Sequence, residues 1–279
     1  MSAPKENRAK ISIDPSIKKL AIIAGSGTVP RDLYQRCCEH NIDCVVVGFK
    51  GHTNYITPDF WGSISKVNTI INYLKKHDVS DMVFIGGVTR PHLFSLRPDW
   101  FTFKFFFKAW VKSFGDSSLL SAARTLLEKI GFRLHGAHKF LPELLMNEGV
   151  LGDVNLTNIS NDDIAFGVKK ALELGQQDIG QAVIVKDSKV IAQEGKAGTN
   201  AMILNHGIEG AILVKMCKPQ QDIDMDLPTI GPKTAQLCAD KKMRGIVGHA
   251  DYMLMAQKDE VLKRANNNEL FIYGQQHDV

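Results

Sequence analysis

The strongest constraint on this chain is a rhythm: short apolar runs that end in glycine alternate with helical patterns. Leu20-Ala21-Ile22-Ile23-Ala24 has the length of a strand and closes on Gly25-Ser26-Gly27. Pro30 then stands where a first helical turn accepts it, and a helix is predicted to run to about His40. Residues 44–47 form a second apolar run. Between 65 and 77, Val67, Ile70, Ile71 and Leu74 recur on one helical face. A third run, 82–85, closes on Gly86-Gly87. Strand, helix, strand, helix, strand at this spacing predicts a parallel sheet with helices on its faces, a Rossmann-like half.

The rest of the chain is α/β as well, with a different pattern. Helices are predicted near 100–112 and 117–130. The stretch 148–161, rich in Gly, Asn and Asp, has no strong period and marks the domain joint. Beyond it a helix (162–175) is expected, then a hairpin (182–186 and 189–193), a helix (199–206) and a strand (211–216). A loop (218–231), a helix (233–242) and a strand–helix–strand run ending at Tyr273 complete the order. The hairpin breaks strict alternation. The reading is a polar arm at 1–17, a Rossmann-like domain at 18–147 and a C-terminal α/β catalytic domain at 148–279.

Composition narrows the function. In 279 residues, 44% are apolar and 23% charged, which supports a substantial core. A net charge of +4 is too mild for a nucleic-acid footprint, so no nucleic-acid partner is expected; it suits an anionic ligand or lipid surface. The five cysteines form no CxxC pair, which argues for a reducing compartment without structural zinc. No leader pattern and no uncharged run of spanning length are present. The expected location is the cytoplasm, at most resting on the inner membrane.

Three places could carry chemistry. The turn Gly25-Ser26-Gly27-Thr28 stands where a parallel sheet binds phosphate on free N–H groups at a helix start. It is not GxGxxG, since Pro30 takes the third glycine's place, and no acidic ribose ligand follows 44–47, so a nicotinamide-linked reductase is discounted. The same residues serve equally as a tight βα turn. The loop Lys218 to Gly231 carries Asp222, Asp224 and Asp226, which extended chain would set on one side. Such oxygens suit Mg²⁺, which takes one or two carboxylates plus substrate phosphates; the bland alternative is a solvated acidic loop. Last, 100–110 holds seven aromatics with Lys104, Lys108 and Lys112 at helical spacing. That pattern fits an interfacial segment, an acyl-chain pocket or simple core.

Several stretches in order resemble the LpxI-type UDP-2,3-diacylglucosamine pyrophosphatases of lipid A synthesis. They are Ile23-Ala24-Gly25-Ser26-Gly27-Thr28-Val29-Pro30, Gly87-Val88-Thr89-Arg90-Pro91, Gly115-Asp116, Gly136-Ala137-His138 and Gly149-Val150-Leu151-Gly152. In the second half Asp178-Ile179-Gly180-Gln181-Ala182-Val183, Gly198-Thr199 with Ala201-Met202, and Lys218-Pro219-x-Gln221-Asp222-x-x-x-Asp226-Leu227-Pro228-Thr229-Ile230-Gly231 continue it. The resemblance implies hydrolysis of a UDP-linked diacylated glucosamine to UMP and 2,3-diacylglucosamine 1-phosphate (lipid X), with Mg²⁺. It also implies a Rossmann-like domain and a distinct α/β domain with the lipid between them. Asp226 matches the family's essential aspartate. It is the expected catalytic residue, and Asp226 and Asp222 are the expected metal ligands. Arg90, Lys215 and Lys218 are candidates for phosphate contact, because a diphosphate transition state needs cationic partners. Gly25, Ser26, Gly27, Thr199 and Gln221 complete the expected substrate-binding set.

The chain also departs from the family pattern. Glu-Gly-Thr-Asp becomes Ala197-Gly198-Thr199-Asn200, an Arg becomes Asp224, Gly-Asp-Asp becomes Gly115-Asp116-Ser117, and carboxylates near His135, Lys139 and His249 are replaced. Two readings follow: a working hydrolase, favoured by the intact Asp226 loop, or a weak or inactive relative that binds lipid X or the UDP-lipid.

Overall fold

The computed structural model describes residues 13–87, 116–154, 156 and 161–277. The aromatic segment at 100–110, the helix expected at 100–112 and Arg90 lie outside the described residues. The chain divides into two compact units. The N-terminal unit holds the described residues up to Pro142, rejoined by Asp222–Asp226. The C-terminal unit holds Glu143–Gln221 and the residues from Leu227 onward.

In the N-terminal unit the apolar runs become strands because their residues are buried almost without exception. β1 (Lys19–Ala24) pairs in parallel with β2 (Asp43–Phe49) on one side and β4 (Asp81–Ile85) on the other, with Ile22 opposite Val46 and Val83. β3 (Phe60–Gly62) and β5 (Arg133–Leu134) extend the sheet in parallel to the order β3-β2-β1-β4-β5. That order reverses between β1 and β4, the place where Rossmann-like sheets open a crevice. α1 (Val29–Glu39) starts with Pro30 in its first turn and buries Leu33 and Cys37. α2 (Val67–Lys76) buries Ile70, Ile71 and Leu74 against Val45, Val47 and Met82, and α3 (Asp116–Lys129) contributes Leu127 to the same core. Fully burying each such side chain stabilises the fold by about 1.5–3 kcal/mol.

The C-terminal unit is built on a mixed sheet of order β6-β13-β11-β9-β7-β8. Its centre is parallel: β9 (Ile212–Lys215), β11 (Gly245–His249) and β13 (Phe271–Gln275). β6 (Gly149–Leu151) closes one edge antiparallel to β13, and the hairpin β7 (Ala182–Lys186) and β8 (Lys189–Gln193) closes the other. Asp187 and Ser188 both take positive φ in that hairpin, the geometry two-residue turns between right-twisted strands require. Strand alternation divides the core into two. Val183 and Val185 pack with Ile164, Val168, Ala171 and Leu174 of α4 (Asn161–Gln176). Ala182 and Ile184 share the opposite cluster with Ile203, Ala235, Cys238, Val261 and Ala265. Those residues come from α5 (Thr199–His206), α6 (Pro232–Asp240) and α7 (Lys258–Asn267). The pair β10 (Thr229–Ile230) and β12 (Leu254–Met255) completes the described strands. The fold class is α/β, a Rossmann-like parallel-sheet unit with a second α/β unit.

Candidate functional site

The sheet's order reversal brings the turn after β1 against the turn after β4. Gly25 N–H donates to Ile85 C=O at 2.8 Å, Ser26 N–H to Gly87 C=O at 2.7 Å, and Gly87 N–H returns to Ser26 C=O at 3.0 Å. A Cβ on Gly25 would sit 2.6 Å from the Gly86 backbone, so only glycine permits this approach. Gly27 N–H is taken by the Asn54 side-chain oxygen at 2.8 Å. The Gly25, Ser26 and Gly27 N–H groups are all taken within the protein, the arrangement of the tight βα turn that the sequence offered beside phosphate binding. What it does set in place is the head of α1, where Thr28 keeps a buried hydroxyl with no hydrogen-bond partner among the described residues.

The acidic loop corrects a second expectation. Residues 222–226 do not run extended; Met225 and Asp226 N–H groups both donate to Asp222 C=O at 2.9 Å, closing a turn. Period-two alternation is lost, and Asp222 and Asp224 both face Arg124. Arg124 Nη1 donates to both oxygens of Asp222 at 2.7 and 2.9 Å, while its Nε donates to Glu128 at 2.8 Å. Asp224 accepts the Gly136 N–H at 3.1 Å and pairs with Lys139 Nζ at 2.8 Å. Arg124 Nη2 stands 3.6 Å and His138 Nε2 3.9 Å from the same carboxylate. Burial alone would raise the Asp224 pKa, but Lys139 and the flanking cations outweigh it and hold it below the ordinary carboxylate value. The hydrogen bond it donates to Asp222 holds the Arg124 guanidinium above its usual value, against partial burial. Met225, which follows Asp224, is buried in the core of the N-terminal unit. Asp226 is exposed.

In the C-terminal unit two of the expected binding residues meet. Lys215, at the end of β9, donates to the Thr199 hydroxyl at 3.0 Å and to Thr229 C=O at 3.3 Å. The Thr199 hydroxyl donates in turn to Glu194, whose second oxygen accepts the Gln181 N–H at 2.9 Å. All three side chains are buried. Thr199 opens α5, whose N-cap is Gly198 at φ 82°, with no side-chain cap. Lys218 and Gln221 form a separate group. Lys218 Nζ pairs with Asp178 at 2.5 Å, and Gln221 accepts the Lys218 N–H at 3.1 Å.

Among the described residues no three His, Cys, Asp or Glu side chains gather closely enough to form a metal cage. Arg124 engages both oxygens of Asp222, and Asp226 is the exposed carboxylate of this loop. One carboxylate with water and phosphate oxygens is a usual Mg²⁺ shell. Sequence reasoning missed Arg124, Lys139, Glu194 and Asp178. Arg124 meets Asp222 across 98 positions (222 less 124), which no local pattern reveals.

Comparison with known proteins covers both units. Residues 19–144 match the model of the LpxI N-terminal domain and residues 147–273 that of the LpxI C-terminal domain. The chain is 31% identical over 273 residues to the UDP-2,3-diacylglucosamine pyrophosphatase LpxI of Caulobacter vibrioides, covering 92% of this chain and 98% of that protein. With both domain models matched in order and a relative aligned nearly end to end, this chain belongs to the LpxI family.

Proposed function

We infer that this chain hydrolyses UDP-2,3-diacylglucosamine to UMP and 2,3-diacylglucosamine 1-phosphate in lipid A biosynthesis. The observation that carries the reading is the alignment across 98% of a relative that bears that activity in its name. In the reaction, water adds to one phosphorus of the diphosphate and the bridging P–O bond breaks. UMP and the sugar phosphate leave as separate anions.

Asp226 is the residue on which the chemistry turns in this proposal. Its exposed carboxylate is the group that would hold Mg²⁺, which when bound neutralises diphosphate charge. Lys215 and Thr199, at an uncapped helix start, supply a cation and a hydroxyl for an anionic part of the substrate. The unpartnered Thr28 hydroxyl beside Gly25-Ser26-Gly27 supports a second polar contact at the head of α1. Arg90 remains a candidate phosphate partner. Lys218, paired with Asp178, and Gln221, folded onto its own loop, support the site by shaping the chain before Asp222.

The test is release of UMP from the UDP-lipid by purified protein, with and without chelator, beside mass spectrometry for bound lipid X. Turnover that survives chelation removes the metal from the proposal. Bound lipid X with no turnover favours the binding-relative reading. No described helix is long and apolar enough to cross a membrane. Contact with the inner-membrane surface is part of the proposal because the substrate is diacylated. Serine at Phe103, Phe106 and Phe107 should reduce co-sedimentation with anionic vesicles; unchanged sedimentation discards that segment as the contact.

A further inference from the structure

Five residues, 222–226, belong by their contacts to the N-terminal unit although the chain before and after them belongs to the C-terminal unit. Three of the five are anchored there by different physics. Asp222 is held by Arg124, Asp224 by Lys139 and the Gly136 N–H, and Met225 by burial in the apolar core. Gly136 is part of the fit: a Cβ there would lie 2.2 Å from the His138 ring and 2.7 Å from the Asp224 carboxylate, so any larger residue displaces both side chains. The fourth anchor is internal, since the Asp226 N–H is bonded to Asp222 C=O at 2.9 Å. The placement of the Asp226 backbone therefore follows from where Arg124 puts Asp222.

We propose that Arg124, Lys139 and Gly136 are positioning residues for the hydrolysis: they clamp the 222–226 turn and thereby fix Asp226. Asp222 and Asp224 serve as the clamp's handles rather than as ligands. Charge logic supports the assignment. Two carboxylates two positions apart in one tight turn repel each other, and Arg124, reaching both at 2.7 and 3.6 Å, offsets that repulsion. Lys139 completes the neutralisation of Asp224 from the other side. The proposal rests on the reading of Asp226 as the catalytic carboxylate, and it adds residues distant in sequence, the nearest of them Lys139 at 87 positions (226 less 139), as groups that act through the turn.

The experiment compares Lys139→Glu, Asp224→Arg, the double swap Lys139→Glu/Asp224→Arg, Lys139→Arg and Gly136→Ala. Each is measured for UMP release and for deuterium uptake of the peptide spanning 222–227. Each single charge reversal should lower kcat about tenfold or more, with KM moved less than about threefold, because a displaced group hurts the transition state first. The same variants should take up deuterium faster in that peptide. The double swap restores a cation–anion pair and should return kcat to within about threefold of the parent. Lys139→Arg should retain activity. Gly136→Ala, which alters no charge, should reproduce the loss with the urea midpoint nearly kept, which separates positioning from unfolding.

Faster exchange with unchanged kcat overturns the positioning role, and so does a double swap no better than its parts. Unchanged exchange in every variant overturns the clamp itself. Asp226→Ala is run in parallel: if it retains turnover, the reading of Asp226 fails, and the exchange data still report separately on the clamp.

Discussion

The Lys215 ammonium lies 3.0 Å from the Thr199 hydroxyl, and that hydroxyl donates to Glu194, so a buried cation and a buried carboxylate communicate through one hydroxyl. Taking a partner from such a chain leaves an uncompensated charge in a poor solvent. Glu194→Ala should destabilise the C-terminal unit by about 3–5 kcal/mol. Thr199→Val, which removes the relay and leaves both charges, should cost about 1–3 kcal/mol. Urea unfolding checks both. A midpoint unmoved in Glu194→Ala would mean that water already solvates Lys215.

Asp226→Ala should lower UMP release by about three orders of magnitude or more, since it removes a group acting in the transition state. Its side chain is exposed, so the urea midpoint should stay within about 0.5 kcal/mol of the parent. Full activity in the variant would remove Asp226 from the site.

The part of the fold that was legible in the sequence is the part with a period. The hairpin at 182–186 and 189–193 and the helix at 199–206 stand where their patterns put them, because each buries one face at its own spacing. β3, β5, β10 and β12 have two or three residues each, too few to show any period, and β6 lies in a glycine- and asparagine-rich stretch that reads as loop. Asp226 stood out in the sequence only through the resemblance of its loop to the family's. Its surroundings were not legible, because the partners of Asp222 and Asp224 are set by tertiary approach across 98 and 85 positions: 222 less 124, and 224 less 139. The loop's three carboxylates suggested a shared ligand set. Two of them meet cations of the protein instead.

Two buried histidines set a pH dependence of stability. His249 is fully buried and His138 largely so, and burial pulls both pKa values below the ordinary histidine value. His249 Nδ1 accepts the Cys217 N–H at 3.3 Å, so the neutral ring carries its proton on Nε2 and donates to His277 C=O at 2.8 Å. A depressed folded-state pKa means that the unfolded chain binds the proton first. Stability is then complete above about pH 6.5 and falls as the pH drops below it. The urea midpoint should decrease from pH 7 to pH 5.5, and His249→Asn should flatten part of that slope. An equal slope in the variant would assign the effect elsewhere.

The departures from the family pattern separate into two kinds once their surroundings are known. Asn200 accepts a hydrogen bond from the Thr234 hydroxyl at 2.9 Å, and a carboxylate there would accept the same bond. Position 200 is also in the first turn of α5, where a negative charge is favourable by about 0.3–1 kcal/mol. Ala197 is exposed, so glutamate can be accommodated without repacking. Ala197→Glu/Asn200→Asp should therefore keep the fold and leave the urea midpoint equal or slightly higher. If these positions once contacted the metal or phosphate, it should raise UMP release as well. Position 224 is different. Arginine there would face Lys139, Arg124 and His138 in a pocket now balanced by a carboxylate. Adding Asp224→Arg to the pair should lower activity, and adding Lys139→Glu with it should bring activity back. A triple variant at 197, 200 and 224 that turns over faster than the double would show that Asp224 is a lost contact after all.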